Sequence, residues 1–277
     1  MEKIKEALEK ARLAVPKQLK RSDSSVFDLS SSKKTVAQID DSDMHEISYE
    51  STRVVELDPA HLEKNRIVCY GKSDPAAWVF DSLRTQILQK MDDNGWQTIA
   101  VVSPTPESGK TLVSINLAIS IANQPQKTAM LVDFDLRRPK IAQYLGLKLD
   151  KSINDYISSN TPIAEMLINP GMPRLVVLPT KSGITNSAEV LSSSKMQGLM
   201  QEIKSRYESR IVIFDLPPLL NADDALVILP KVDCVLLVVG NGLVKEAEIE
   251  EAMHYIPKEK LIGIVLNKAE VDTTTYY

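Results

Sequence analysis

Three short stretches of the chain gather residue types suited to phosphate and proton chemistry. The first is Ser103-Pro104-Thr105-Pro106-Glu107-Ser108-Gly109-Lys110-Thr111. It follows the apolar run Ile99–Val102 and opens a helical pattern. In that setting the backbone N–H groups of Ser108, Gly109, Lys110, Thr111 and Leu112 would face phosphate oxygens. Lys110 would reach the terminal phosphates as a point charge, and Thr111 would offer its hydroxyl to Mg²⁺. The second stretch is Leu131-Val132-Asp133-Phe134-Asp135-Leu136-Arg137-Arg138-Pro139. Two carboxylates at i and i+2 repel unless a cation sits beside them. Mg²⁺ takes one or two carboxylates with phosphate oxygens and water, so one could serve a metal. The other could accept a proton from an incoming hydroxyl, although the pair could also be a helix N-cap and its neighbour. The third is Ile211-Val212-Ile213-Phe214-Asp215-Leu216-Pro217-Pro218. Four apolar residues followed by Asp is the Walker-B form, whose carboxylate holds Mg²⁺ through water. A further strand end, Leu266-Asn267-Lys268, offers an amide that could bind an adenine edge or simply belong to a turn.

All of these sit at the carboxyl ends of short apolar runs. The runs are 99–102, 129–132, 175–178, 211–214, 235–239 and 262–266. They are continuous rather than alternating, as expected of strands covered on both faces. Helical patterns over 111–123, 187–208 and 245–255 supply crossovers, so the expected fold is α/β, a doubly wound, mostly parallel sheet. Ligands of such sheets lie outside the carboxyl ends of the strands. Another helix is predicted over 76–91, with Val79, Leu83 and Ile87 facing inward. Residues 1–15 read as a short amphipathic helix and 22–52 as a Ser/Asp-rich linker unable to bury enough apolar surface to order itself. The expected organisation is an N-terminal helix and linker over 1–53, a nucleotide-binding domain over 54–270, and a tyrosine-bearing tail over 271–277.

Composition narrows the classes of function. The chain has 277 residues, is 43% hydrophobic and 25% charged, and has a formal net charge of −4. A nucleic-acid binder would carry a basic excess, so none is expected as a partner. Cys69 and Cys234 have no metal-ligand spacing and read as reduced, buried thiols. No apolar stretch reaches the roughly 18 residues that span a bilayer. A cytoplasmic location is expected.

The motifs together resemble the bacterial tyrosine kinases, within the wider MinD/ParA-like group of P-loop ATPases. The match looks like the stand-alone autokinases associated with exopolysaccharide synthesis and extends over roughly residues 54–270. Val132-Asp133-Phe134-Asp135-Leu136-Arg137-Arg138-Pro139 carries most of the specificity, because ordinary Walker ATPases lack it. The resemblance implies that ATP binds through Ser108, Gly109, Lys110, Thr111, Leu112 and Asn267. It implies Mg²⁺ at Thr111, Asp135 and Asp215, and catalysis by Lys110, Asp133 and Asp135, with Asp133 as base for a tyrosine hydroxyl. It makes Tyr276 and Tyr277 the phosphoacceptors. It also implies self-association, a membrane co-polymerase or adaptor as partner, and a place peripheral to the inner membrane. The alternatives are a MinD/ParA-like ATPase switch and a weakly active regulatory subunit. MinD-like ATPases carry an extra lysine where this chain has Thr105, which favours the kinase branch. The chain departs from the family at Pro104 and Glu107, each in place of glycine. A positive φ at Glu107 would cost about 1–2 kcal/mol. The family's Glu-x-x-Arg-x-x-Arg oligomerisation motif stands here as Trp78, Asp81 and Arg84.

Overall fold

In a computed structural model, the structure describes residues 52–71, 74–205 and 210–269. The expected helix over 1–15, most of the expected linker, and the tail with Tyr276 and Tyr277 lie outside these residues.

The apolar runs form the strands. These are β1 (Arg53–Val54), β2 (Thr98–Val102), β3 (Thr128–Asp133), β4 (Ile168–Asn169), β5 (Leu175–Leu178), β6 (Arg210–Asp215), β7 (Cys234–Gly240) and β8 (Leu261–Asn267). They make one eight-stranded sheet in the order β1-β4-β5-β3-β6-β2-β7-β8. Pairing is parallel throughout the six strands from β5 to β8 in that order. Only β4 meets its neighbour β5 antiparallel, and β1 follows β4. The expected doubly wound, mostly parallel sheet is what the chain adopts.

Strand alternation divides the core into two. Ala100, Val102, Met130, Val132, Val212, Phe214, Leu237 and Val239 face one layer of helices. Ile99, Val101, Ala129, Leu131, Ile211, Ile213, Leu236 and Val238 face the other. Both sets are buried, which is why the sequence runs are continuously apolar.

The second face is covered by α1 (Pro59–Lys64), α2 (Ala77–Asn94), α3 (Lys110–Ala122) and α4 (Ile141–Leu145). The first is covered by α5 (Ile153–Ser159), α6 (Ile163–Met166), α7 (Ser187–Ser192), α8 (Ser194–Ser205), α9 (Asp224–Ile228) and α10 (Glu246–Tyr255). Helix α3 is buried along its length except at Leu112, lying between the sheet and α2. Its polar residues are therefore all spoken for. The Asn116 side chain accepts from the Val68 and Cys69 N–H groups and donates to the Arg66 and Leu112 carbonyls.

Two expectations need correction. Val79 is 50% exposed, so the inward stripe of α2 is instead Ile87, Leu88 and Met91, with Phe80 and Leu83 partly buried beside them. The helix starts at Ala77, and its first turn overhangs the core. The single helix expected over 187–208 is two, broken at Ser193, whose extended backbone (φ −64°, ψ 150°) caps the first and whose hydroxyl accepts from the Met196 N–H. A serine hydroxyl that competes for backbone partners favours such a boundary over a helix interior.

Candidate active site

The carboxyl ends of β2, β3 and β6 lie side by side at the centre of the sheet, and each delivers its motif to the same place. Asp133 and Asp215 are register partners on neighbouring strands. Lys110, the first residue of α3, extends between the acids. Its Nζ lies 2.9 Å from Asp135 Oδ2 and 3.6 Å from Asp215 Oδ2. The Thr111 hydroxyl donates to Asp215 Oδ2 at 2.6 Å, and the Ser114 hydroxyl lies 3.2 Å from Asp215 Oδ1. The structure thus brings Lys110, Thr111, Asp133, Asp135 and Asp215 together.

The loop before α3 is shaped by backbone bonds. The Ser103 hydroxyl and the Ser108 hydroxyl both donate to the Thr105 carbonyl. The Leu219 and Leu220 N–H groups, from the segment after Asp215, donate to the Ser103 and Pro104 carbonyls. Glu107 has φ of 65° and Gly109 φ of 92°. The positive φ at Glu107 carries the strain expected of a residue with a Cβ, of order 1–2 kcal/mol. Gly109 has a second reason to be glycine. A Cβ there would stand 2.0 Å from Asn267 Nδ2. That amide donates to the Ser108 carbonyl at 2.9 Å. Asn267 is therefore a buttress of the phosphate loop, with its Oδ1 left as the atom that could face an adenine amino group. Leu112 is the one partly exposed residue of α3, and its N–H belongs to the first helical turn.

The aspartate loop is held differently. Asp133 is fully buried. Its Oδ2 accepts from the Lys140 and Ile141 N–H groups at 3.1 and 3.0 Å, and its carbonyl accepts from the Thr180 hydroxyl at 2.7 Å. Its other carboxylate oxygen, Oδ1, is buried and has no hydrogen-bond partner. Asp135 Oδ1 accepts from the Arg138 N–H at 3.0 Å. The Phe134 ring, just after β3, and the Phe214 ring, on β6, lie with centroids 5.1 Å apart and planes tilted by 34°, both buried in the core under the aspartates' strand ends.

Burial sets the proton affinities. Loss of water drives the Asp133 carboxyl well above the usual carboxylate range, and the adjoining Asp215 charge drives it further. Burial also raises Asp215, against the pull of Lys110 and the Thr111 hydroxyl. Burial works to neutralise Lys110, but the Asp215 and Asp135 carboxylates outweigh it and keep the ammonium charged. Three carboxylates against one ammonium is an arrangement short of positive charge. That shortage is the environment a divalent cation relieves. Among the described residues no three His, Cys, Asp or Glu side chains converge as a complete metal cluster. Mg²⁺ fits this, since it uses one or two carboxylates and completes its shell with phosphate oxygens and water.

Some contributors had weak sequence signals. Ser114 stands three residues after Thr111, on the same helix face, so its reach to Asp215 follows from helical spacing. Thr180 and Gly183 belong to a loop with no motif. Gly183 is needed because a Cβ there would lie 2.7 Å from the Arg137 carbonyl. Asp81 and Arg84 pair with each other at 2.7 Å, and both bond Ser120 of α3. Those two side chains are thus used within the chain. Cys69 and Cys234 are buried, and burial pushes both thiols up to about 12, out of nucleophilic range.

A family model described as an AAA domain matches residues 96–260. EpsB of Ralstonia solanacearum, named as a tyrosine-protein kinase, is 30% identical over 205 residues, or 73% of this chain. The chain spans only 27% of the length of that relative. The tyrosine-protein kinase CpsD of Streptococcus agalactiae is 28% identical over 200 residues, covering 71% of this chain and 85% of CpsD. Among solved structures, the kinase domain of the Escherichia coli tyrosine kinase ETK superposes with a TM-score of 0.64 at 26% identity, over 74% of this chain and 82% of that one. ParA and MinD ATPases share the sheet at 17% and 16% identity, a likeness of fold alone. With its phosphate loop, paired aspartates and Walker-B aspartate converging on one rim, the chain belongs to the AAA-domain family, shares the MinD/ParA-like fold, and is similar in sequence and fold to bacterial tyrosine kinases.

Proposed function

We propose that this protein transfers the γ-phosphoryl group of ATP to tyrosine, with its own Tyr276 and Tyr277 among the acceptors, in control of exopolysaccharide or capsule assembly. One observation carries the reading: a fully buried aspartate, Asp133, keeps one oxygen unpartnered beside the phosphate-loop lysine. A carboxylate held in this way can take the proton of an incoming hydroxyl, and the likeness to tyrosine-protein kinases makes that hydroxyl a tyrosine's. A kinase needs a proton acceptor that no other group has claimed.

In the proposed reaction the tyrosine Oη forms a bond to the γ-phosphorus while the bond from that phosphorus to the β–γ bridging oxygen breaks, and ADP leaves. The phenolic proton passes to Asp133 Oδ1. The two N–H groups on Oδ2 keep the carboxylate aimed, and burial makes it a stronger base once ionised. Lys110 leaves its pairing with Asp135 and Asp215 to neutralise charge on the transferred group. Thr111, Asp135 and Asp215 are the residues that would hold Mg²⁺, which would supply charge neutralisation on the phosphates when bound. Ser108, Gly109, Lys110, Thr111 and Leu112 offer backbone N–H groups to the phosphates, and Asn267 Oδ1 faces the base. Self-association and a membrane adaptor complete the proposal, as the resemblance to the bacterial tyrosine kinases implies; separately, no helix among the described residues is long and apolar enough to cross a membrane.

Incubation with γ-labelled ATP and Mg²⁺, followed by mass spectrometry, tests this. The expected result is label on Tyr276 and Tyr277, lost in Lys110→Met and reduced in the Tyr276→Phe/Tyr277→Phe variant while ATP binding persists. Free phosphate without labelled tyrosine would identify an ATPase switch instead, and neither product a nucleotide-binding regulator.

A further inference from the structure

Building on the kinase reading, we propose that Arg138 and Lys140 form an acceptor-recognition surface that selects tyrosines set in acidic sequence. The loop after Asp135 carries three cations, and the structure uses them unequally. Arg137 is committed internally. Its guanidinium lies 3.2 Å from Asp223 and 2.8 Å from the buried Asp224, and Nε donates to the Ser187 hydroxyl at 3.0 Å. Arg138 and Lys140 make no such side-chain pair among the described residues, and both are exposed. Their backbones, by contrast, are fixed to the reacting groups. The Arg138 N–H binds Asp135 Oδ1 at 3.0 Å, and the Lys140 N–H binds Asp133 Oδ2 at 3.1 Å. Pro139 between them restricts the backbone further. Two exposed cationic residues are thus tied through their backbones to Asp135 and Asp133, next to the cluster of three aspartates and one lysine.

That placement has a consequence for the acceptor. The interior acids would repel an acidic peptide approaching Asp133. Exposed charges farther apart than about 8 Å are largely screened at physiological salt, so exposed cations close to the site are the ones that can offset that repulsion from outside it. The chain itself contains sequences of the matching kind. Residues 40–52 hold Tyr49 among Asp40, Asp41, Asp43, Glu46 and Glu50, with no Lys or Arg. Residues 269–277 hold Tyr276 and Tyr277 after Glu270 and Asp272, again with no Lys or Arg. The inferred substrate class is an acidic tyrosine segment, from this chain or from another.

The test uses the full chain with synthetic peptides spanning residues 40–52 and 269–277, each compared with a version whose Asp and Glu are replaced by Asn and Gln. The acidic peptides are expected to show a KM about three- to tenfold lower, as two rim ion pairs would give. The gap should shrink as salt is added. In Arg138→Gln/Lys140→Gln the preference should vanish, while the KM for ATP stays where it was. Equal KM values for acidic and neutral peptides in the unaltered protein would overturn the proposal and leave the kinase reading standing. So would a variant that loses ATP affinity but keeps the peptide preference, since the two cations would then serve the nucleotide. If no peptide is labelled at all, the kinase reading fails. Fluorescence-polarisation binding of the same peptides then decides the surface alone. Salt-sensitive binding of the acidic forms, lost in the double variant, supports it, and equal binding of both forms defeats it.

Discussion

The phosphate loop and the aspartate loop adjoin each other at the same rim, yet they are stabilised in opposite ways. The phosphate loop turns on two positive φ angles, one of them at Glu107, and is propped by the Asn267 amide from the far end of β8. Its backbone is strained and its lysine is turned back onto the site's own carboxylates. The aspartate loop has ordinary backbone geometry and more anchoring bonds than it needs, but one buried oxygen without a partner. The first loop stores its cost in conformation, the second in desolvated charge. A ligand that supplies positive charge and phosphate oxygens relieves both, so binding and chemistry draw on separate reserves. Such costs collect at functional sites in folded proteins.

Substitutions that hit one reserve and spare the other test this contrast. The largest effect is expected from Asp133→Asn. The amide oxygen can still accept from the Lys140 and Ile141 N–H groups, so the loop should keep its shape. Tyrosine transfer should fall by about 10²–10⁴, the usual worth of a positioned base. Nucleotide affinity should hold. Because burial raises the Asp133 pKa in the fold, its ionised form costs stability. The cost is absent below the unfolded pKa and complete above the folded one. Asp133→Asn should therefore melt higher than the parent at neutral pH in a thermal scan. A variant that loses transfer and also melts lower would show that the carboxylate is structural.

Gly109→Ala attacks the phosphate loop instead. Strain at a positive φ alone is worth about 1–2 kcal/mol, or roughly tenfold, and the overlap with Asn267 adds to it. Titration with a fluorescent nucleotide should show affinity weakened at least about tenfold, with Asp133 and its neighbours unmoved. Adding Asn267→Ala should recover the part due to overlap and leave the part due to φ. The smallest effect is expected from Glu107→Gly. Relief of strain is partly offset by the greater freedom of glycine in the unfolded chain, leaving a gain of about 0.5–1 kcal/mol in denaturant unfolding. If Glu107→Gly destabilised the protein, the strained loop would not be where the fold stores its cost.

Much of this was readable from residue order. The strand runs, the three carboxyl-end motifs and the helix after Lys110 all carry local signals, because a strand buried on both faces must be continuously apolar and a phosphate loop must sit between such a strand and a helix. Val79 misled because helical periodicity shows which residues share a face but not how far along the helix the core extends. The break at Ser193 was missed because Ser194–Ser205 continues with equally good helix formers. Asn267 illustrates the limit most directly. Its position at a strand end was plain, but its amide lies against a loop 159 residues away in sequence.

Hydrophobic pattern and residue types a few positions apart already specify the architecture, the order of the motifs and the kind of chemistry they serve. Tertiary structure alone decided which oxygen of Asp133 is left open, which cation of the Arg137–Lys140 loop is tied down, and which glycines cannot change. Each of those rests on distances between segments that only meet when the sheet closes in its β3-β6-β2-β7-β8 order. Charge and hydrogen bonding act over a few ångströms, and no local pattern records which distant residue will arrive within that range.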